Sequence, residues 1–337
     1  MARFFLLISI LLLSSLVFAQ ENKAQNKKSQ PPPPQTTRPA ESEKEETIRI
    51  DSTLVTIPVS VIDREGSYLL NLTNKDFKLY EENSPQEITN FSALEVPINV
   101  VLLLDTSRST KFRIEDIQRA AFTFIEQLRP ADRVMVISFD DKIRVQSEFT
   151  NDRNSLKQTI AKTKTGTGTK LYEVLNKVMS EKLKAIQGRK AIVLFTDGVD
   201  TESKYGSGKQ SMFDAEKNEV SVYSVQYDTM EDVNEILNGK NQSRKLVNSE
   251  PTVEEFELAT RYLRGLANRS GGRVHQAETL TNVNEAFALI AEELRHQYLL
   301  GYYPTNEGQP GEFRRVRVEV LPPHQSVRAR DGYRVGK

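Results

Sequence analysis

The run Ile98-Asn99-Val100-Val101-Leu102-Leu103-Leu104-Asp105-Thr106-Ser107-Arg108-Ser109 decides the architecture. A continuous apolar segment ended by a carboxylate and hydroxyls is what a strand buried on both faces of a parallel sheet requires. A helix is predicted next, over Phe112 to Leu128, because Phe112, Ile114, Ile117, Ala120, Ala121, Phe124, Ile125 and Leu128 recur mostly at three- to four-residue spacing. Strands follow at Arg133 to Phe139 and, at an edge, Ile143 to Phe149. Helices are expected near Ser155 to Lys162 and from Lys170 to about Leu183, and a strand at Ala191 to Phe195. The series closes with a short helix at Met212 to Lys217, strand Val220 to Tyr227, helix Val253 to Ala267, a short strand at Arg273 to His275, and helix Val283 to Arg295. Strands alternating with helices predict a doubly wound, mostly parallel α/β sheet with right-handed crossovers over residues 97–296.

On both sides of this centre the pattern changes to alternation of apolar and polar residues. Residues 47–96 carry it at Ile48, Ile50, Leu54 to Ile62, Phe77 to Tyr80 and Glu87 to Phe91; residues 297–337 carry it at Gln297 to Tyr303, Arg314 to Val320 and Val327 to Tyr333. Neither set alone supplies the roughly seven strands of an immunoglobulin-like sandwich, but the two together do. The α/β domain is therefore expected to be inserted in a β-sandwich module built from both flanks, an arrangement that avoids two sets of exposed sheet edges.

Residues 1–19 carry one arginine, a 16-residue apolar stretch from Phe4 to Ala19, and small residues at Val17 and Ala19. That is the form of a cleaved signal peptide, cut after Ala19, and it is shorter than the roughly 20 residues of a spanning helix. Residues 20–46 are rich in Gln, Lys, Pro, Ser and Glu, with Pro31 to Pro34, and are expected to be a disordered linker. The mature chain is thus expected to be secreted or periplasmic, with no transmembrane helix. Lys plus Arg and Asp plus Glu each count 46 in 337 residues, so no net field favours nucleic acid. With no cysteine, thiol catalysis, zinc-thiolate sites and lipid attachment at cysteine are excluded.

Ligands of open α/β sheets bind at the carboxyl ends of the strands. There Asp105, Ser107 and Ser109 follow the first central strand, Thr196-Asp197-Gly198 follows a second, and Gly166-Thr167-Gly168-Thr169-Lys170 enters at the same edge. Oxygen-only donors with few fixed charges suit a hard divalent cation, Mg²⁺ foremost with Mn²⁺ or Ca²⁺ as alternatives.

These residues resemble the von Willebrand factor A domain and its metal-ion-dependent adhesion site, whose pattern is Asp-x-Ser-x-Ser, then a Thr in a later loop, then an Asp after a later strand. Asp105, Ser107 and Ser109 match the first part, Thr169 the second and Asp197 the third. The resemblance spans about Pro97 to Arg295. The flanks are similar to those of a bacterial subgroup of exported proteins, in Leu72 to Phe77 with Tyr80 to Glu82, in Tyr298 to Tyr302, and in Arg328 to Tyr333. The resemblance implies a non-enzymatic protein-binding module for adhesion or assembly. Ser107, Ser109 and Thr169 would touch the cation through their hydroxyls, and Asp105 and Asp197 would act largely through water or by holding the serines. A partner protein's Asp or Glu carboxylate would fill the open position. Either serine alone also fits a helix cap.

A phosphate-binding loop is disfavoured because Thr169 precedes Lys170 and Leu171 follows it. Metal-dependent hydrolysis or phosphoryl transfer at the same cation is the alternative from another class, and a scaffold with a vestigial site is a third. Hydrolysis lacks a Gly-x-Ser-x-Gly elbow, and His275, His296 and His324 fall away from the motif. Asp200 with Glu202, and Asp140 with Asp141, fit either a second cation site or a solvated loop. Thr229 to Pro251 fits a partner-specific loop or a plain insertion. The last helix runs directly into the next strand, so ligation is expected to reorient the β-module.

Overall fold

The computed structural model describes residues 54–93, 96–107, 114–227, 252–321 and 323–336. The expected signal peptide and linker, the strand residues Ile48 and Ile50, Ser109, the helix start at Phe112 and the stretch from Thr229 to Pro251 lie outside them.

The N-terminal segment forms β1 (Val55–Ile62), β2 (Phe77–Glu81), β3 (Ser84–Gln86) and β4 (Asn90–Ala93). The centre contributes β5 (Ile98–Asp105), α1 (Ile114–Gln127), β6 (Arg133–Phe139), β7 (Ile143–Thr150), α2 (Arg153–Ile160), α3 (Leu171–Lys177) and β8 (Arg189–Thr196). It continues with α4 (Gly208–Asn218), β9 (Ser221–Tyr227), α5 (Val253–Ser270), β10 (Val274–Ala277) and α6 (Leu280–Arg295). The C-terminal segment adds β11 (Gln297–Tyr302), β12 (Phe313–Val320), β13 (Ser326–Arg328) and β14 (Gly332–Arg334).

The central sheet has the order β10-β9-β8-β5-β6-β7, parallel except for the antiparallel edge strand β7. Its strands are apolar on both faces because helices cover both. On one side, Val100, Leu102 and Leu104 of β5 pack against Ile117, Ala121 and Phe124 of α1 and Phe287 and Ile290 of α6. On the other, Val101 and Leu103 meet Leu171, Val174 and Leu175 of α3 and Leu263 and Leu266 of α5. Each such fully buried side chain contributes about 1.5–3 kcal/mol over its exposed state. The helix ends are set locally: Asp152 caps α2, Ser207 caps α4, and Thr252 with Glu255 forms a capping box on α5.

The flanking strands form two four-stranded antiparallel sheets, β13-β1-β11-β4 and β14-β12-β2-β3, each mixing N- and C-terminal strands. Alternate residues of both close on one core of Val55, Ile57, Val59, Phe77, Leu79, Tyr298, Leu300, Tyr302, Val316 and Tyr333. Buried in it, Glu81 accepts hydrogen bonds from Tyr302 (2.6 Å), Tyr333 (2.9 Å) and Arg314 (2.5 Å). An interior carboxylate is tolerable only with such partners, and these come from strands more than 200 residues away in sequence. The α/β domain is thus inserted between the two halves of a β-sandwich.

Three local expectations are corrected. The strand predicted over Val327 to Tyr333 is two strands in different sheets, because Arg330 between them leaves the ladder to bond Thr56 O and Glu219 (2.8 and 2.9 Å). The N-terminal alternation did not announce the hairpin strand β3, which pairs with β2 in the second sheet of the sandwich. The helix predicted to Leu183 keeps α geometry only to Lys177 and then widens over Val178–Lys182, where Leu183 N donates to Val178 O five residues back (2.9 Å).

Contacts between the β-sandwich and the α/β domain gather at the amino ends of the central strands. Arg189, the first residue of β8, donates to Val96 O (3.0 Å), Leu294 O (2.6 Å) and Gln297 Oε1 (2.7 Å). Gln297 in turn donates to the Tyr223 hydroxyl (2.8 Å). Three arginines of the C-terminal segment cross the same boundary: Arg328 to Gly272 O (2.8 Å), Arg330 to Glu219 Oε1, and Arg334 to Glu216 Oε2 (2.6 Å). Glu216 is fully buried in its side chain and is also bonded by Arg269 (2.6 Å). Among the described residues, the β-sandwich therefore grips the base of the sheet and not its carboxyl edge.

Candidate functional site

At that carboxyl edge, β5 and β8 lie side by side in parallel register, Leu104 opposite Phe195. Asp105 and the Thr196-Asp197 pair therefore end up as neighbours. Asp105 is fully buried; its Oδ2 accepts the Thr196 hydroxyl (2.6 Å) and its Oδ1 the Ser107 backbone N–H (3.0 Å). The second bond turns the chain sharply after the strand and sets Ser107, 2% exposed, at the edge. Thr196 is used twice, since its oxygen also accepts the Gly198 N–H (3.0 Å). Asp197 is 2% exposed, and its Oδ1 accepts Val199 N (3.0 Å) while Gln226 holds its carbonyl (3.0 Å).

The loop before α3 is tied across this edge. Gly166 N donates to Thr106 O (2.7 Å), Asp141 N to Thr167 O (2.7 Å), and Lys170 N to Asp140 O (3.0 Å). A Cβ at Gly166 would stand 2.1 Å from Asp140 Oδ2, so only glycine lets the loop approach this closely. Thr169, 4% exposed, is bracketed by the segment after Asp197: its N–H donates to the Thr201 hydroxyl (2.9 Å), and its carbonyl accepts Thr201 N and Glu202 N (3.0 and 2.9 Å).

Asp105, Ser107, Thr169 and Asp197 are thus buried together at one sheet edge, while Ser109 lies outside the described residues. Burial first, and then the charge of Asp197, push the Asp105 carboxyl up to about 7, against the hydrogen bonds from Thr196 and Ser107. Two carboxylates held this close without a cation oppose each other's ionisation. Among the described residues no group of three or more His, Cys, Asp or Glu side chains is placed to hold a metal. Any cation at this edge would accordingly rest on hydroxyls as much as on carboxylates, which is the donor set that oxygen-loving divalent ions accept.

One carboxylate of each ambiguous acidic pair, Asp200 and Asp140, is held locally. Asp200 Oδ2 accepts the N–H of Tyr172 in the first turn of α3 (2.9 Å) and the Ser203 hydroxyl (2.6 Å), and its Oδ1 accepts Ser203 N (3.0 Å). Asp140 is bonded by Arg144 (2.7 Å), by Lys142 N (2.8 Å) and by the Thr106 hydroxyl (3.3 Å). Both oxygens of each are engaged by protein donors. Thr196, Thr106 and Gly166 hold the edge together from within the motif stretches; only strand register shows that the Thr196 hydroxyl reaches Asp105.

Residues 100–199 match the model of the von Willebrand factor type A domain. Over that stretch the chain is similar to a von Willebrand factor A domain. An uncharacterised protein of Synechocystis, sll0103, is 31% identical over 121 residues, which is 35% of this chain and 28% of that protein; the match thus spans little more than a quarter of the curated relative. Among solved structures, BatB from Bacteroides thetaiotaomicron is 19% identical with a TM-score of 0.43, covering 58% of this chain and 97% of its own. The von Willebrand factor domain of the type V pili tip protein Mfa5 from Porphyromonas gingivalis is 15% identical at TM-score 0.45, covering 59% of this chain and 95% of its own. A von Willebrand factor type A protein from Catenulispora acidiphila, 11% identical at TM-score 0.44, covers 85% of this chain and 74% of its own. No helix among the described residues is long and apolar enough to cross a membrane.

Proposed function

We propose that the carboxyl edge of the von Willebrand factor A domain is a metal-ion-dependent adhesion site, and that this exported, non-enzymatic chain uses it to bind an acidic side chain of a partner protein. The observation that carries the reading is that Asp105, Asp197, Ser107 and Thr169 are all buried at the carboxyl edge, with the charge of Asp197 acting on the Asp105 carboxyl. In this reading Ser107, Ser109 and Thr169 hold Mg²⁺ through their hydroxyls, with Mn²⁺ or Ca²⁺ as substitutes, and Asp105 and Asp197 neutralise it and orient the ligating groups. A divalent ion balanced by only two protein carboxylates keeps net attraction for a third, which a partner's Asp or Glu supplies.

The protein's own contribution is positioning. Asp105 fixes the backbone of Ser107, Thr196 fixes Asp105, and the Thr201 to Glu202 segment fixes Thr169. The β-sandwich grips the opposite edge of the sheet, so the site faces away from it. Binding of Asp-containing peptides to the purified chain, measured with Mg²⁺ and with chelator, tests the proposal. Binding that requires the cation and is abolished in Ser107→Ala supports it; binding indifferent to both contradicts it.

A further inference from the structure

Tyr205 is 78% exposed, the highest exposure among the large apolar and aromatic side chains of the described residues. A single exposed aromatic is ordinary on a protein surface, but the backbone beneath this one is unusually constrained. Its own N–H and that of Lys204 donate to one oxygen of Glu173 (3.0 and 2.6 Å). Two residues earlier, Ser203 is bonded to Asp200 and accepts Glu173 N (3.1 Å), and Asp200 caps α3 at Tyr172. On the other side Gly206, at φ +104, sits where a Cβ would stand 2.2 Å from Asn176 Nδ2. The loop is thus hydrogen-bonded to the first turn of α3 on one side of an aromatic ring that is left in solvent, and packed closely against Asn176 on the other.

The same loop begins at Asp197, and its Thr201 and Glu202 bond the carbonyl of Thr169. Tyr205 therefore stands on a platform continuous with two residues of the candidate adhesion site. A ring held out on fixed backbone loses little conformational entropy when covered, which is the property that makes tyrosine a strong anchor at interfaces. We propose that Tyr205 is a second contact point of the adhesion surface, covered by an apolar side chain that the partner carries next to its metal-seeking carboxylate. This rests on the adhesion-site reading above. The partner it fits is an extended protein segment with an acidic residue flanked by an apolar one, rather than an isolated carboxylate.

Phage-displayed peptides with a fixed central Asp and random flanks, selected on the purified full chain in Mg²⁺, test it when the selected peptides are titrated against Tyr205→Ala, Tyr205→Phe and Ser107→Ala. The expected result is an affinity loss of about tenfold in Tyr205→Ala, near-native affinity in Tyr205→Phe, abolished binding in Ser107→Ala, and enrichment of apolar residues beside the Asp. Peptides that need Mg²⁺ and Ser107 but bind Tyr205→Ala undiminished overturn the Tyr205 proposal and leave the adhesion site standing. Peptides indifferent to Mg²⁺ and to Ser107→Ala overturn both. Cation binding by Tyr205→Ala equal to wild type shows that its loss of affinity is not damage to the metal edge.

Discussion

Thr196 donates its hydroxyl to Asp105 across 2.6 Å, joining the last residue of one central strand to the last residue of the next, with both side chains out of solvent. The same oxygen takes the Gly198 N–H, so one hydroxyl sets both the Asp105 carboxylate and the turn that carries Asp197. Thr196→Val keeps the shape and removes both bonds. The expected cost is about 1–3 kcal/mol in chemical denaturation, from a buried carboxylate oxygen and an N–H left unpaired. Cation affinity is expected to fall roughly ten- to a hundredfold, as when a partner of a metal-holding residue is removed.

Asp200 separates a one-cation edge from a two-cation edge. Its oxygens are occupied by Tyr172 N and by Ser203, so its work is to cap α3. Asp200→Ala should cost about 1 kcal/mol in stability, the usual loss of a capping side chain, with cation stoichiometry unchanged in titration. A lowered stoichiometry would assign it to a second metal.

The base of the sheet is expected to be the least forgiving region. Arg189 is buried and holds Val96 O, Leu294 O and Gln297 Oε1, binding the segment before β5, the end of α6 and the start of β11 to one guanidinium. Arg129 holds Arg295 O in the same turn (2.7 Å). Arg189→Ala should destabilise by about 3 kcal/mol or more, since several buried oxygens lose their donor at once. The expected coupling of ligation to the β-sandwich through α6 and β11 runs along this clamp, beside the contacts of Arg328, Arg330 and Arg334. Cation-dependent peptide affinity that is unchanged in Arg189→Ala under conditions where it stays folded would argue against such coupling.

His275 on β10 makes stability depend on pH. Burial, and then the charges of Arg273 and Arg328, hold its imidazole at about 4 against an ordinary 6.5. Its Nε2 is buried without a hydrogen-bond partner among the described residues. Below about 6.5 the unfolded chain takes up a proton that the folded one refuses, so this residue removes stability as pH falls from about 6.5 to about 4 and adds no slope above. His275→Gln should flatten that part of a melting temperature against pH profile, while the slope below about 4, set by carboxylates, remains.

The α/β core was legible because its signals are local. An eight-residue apolar strand and helices with three- to four-residue spacing declare themselves without tertiary information, and all the predicted central strands occur, each close to its expected bounds. The pairing of N- and C-terminal strands was legible only as a strand count. What was hidden depended on distant partners. The turn between β2 and β3 is made by Glu82 and Asn83, both at positive φ, with no glycine to mark it. Arg330 splits a well-patterned strand because Glu219, 111 residues away, draws it out. At the candidate site the motif residues could be named from spacing, but Thr196, which orders them, shows itself only when β5 and β8 are in register.

The central claim is that the Asp105 edge holds a divalent cation. It is tested most directly by calorimetric titration of the chelator-stripped chain with Mg²⁺, Mn²⁺ and Ca²⁺, beside a Ser107→Ala/Ser109→Ala variant shown by circular dichroism to be folded. Saturable binding of one cation, lost in the variant, is the predicted result. Wild-type and variant chains that take up the ion alike, or fail alike to bind it with an Asp peptide present, would contradict it.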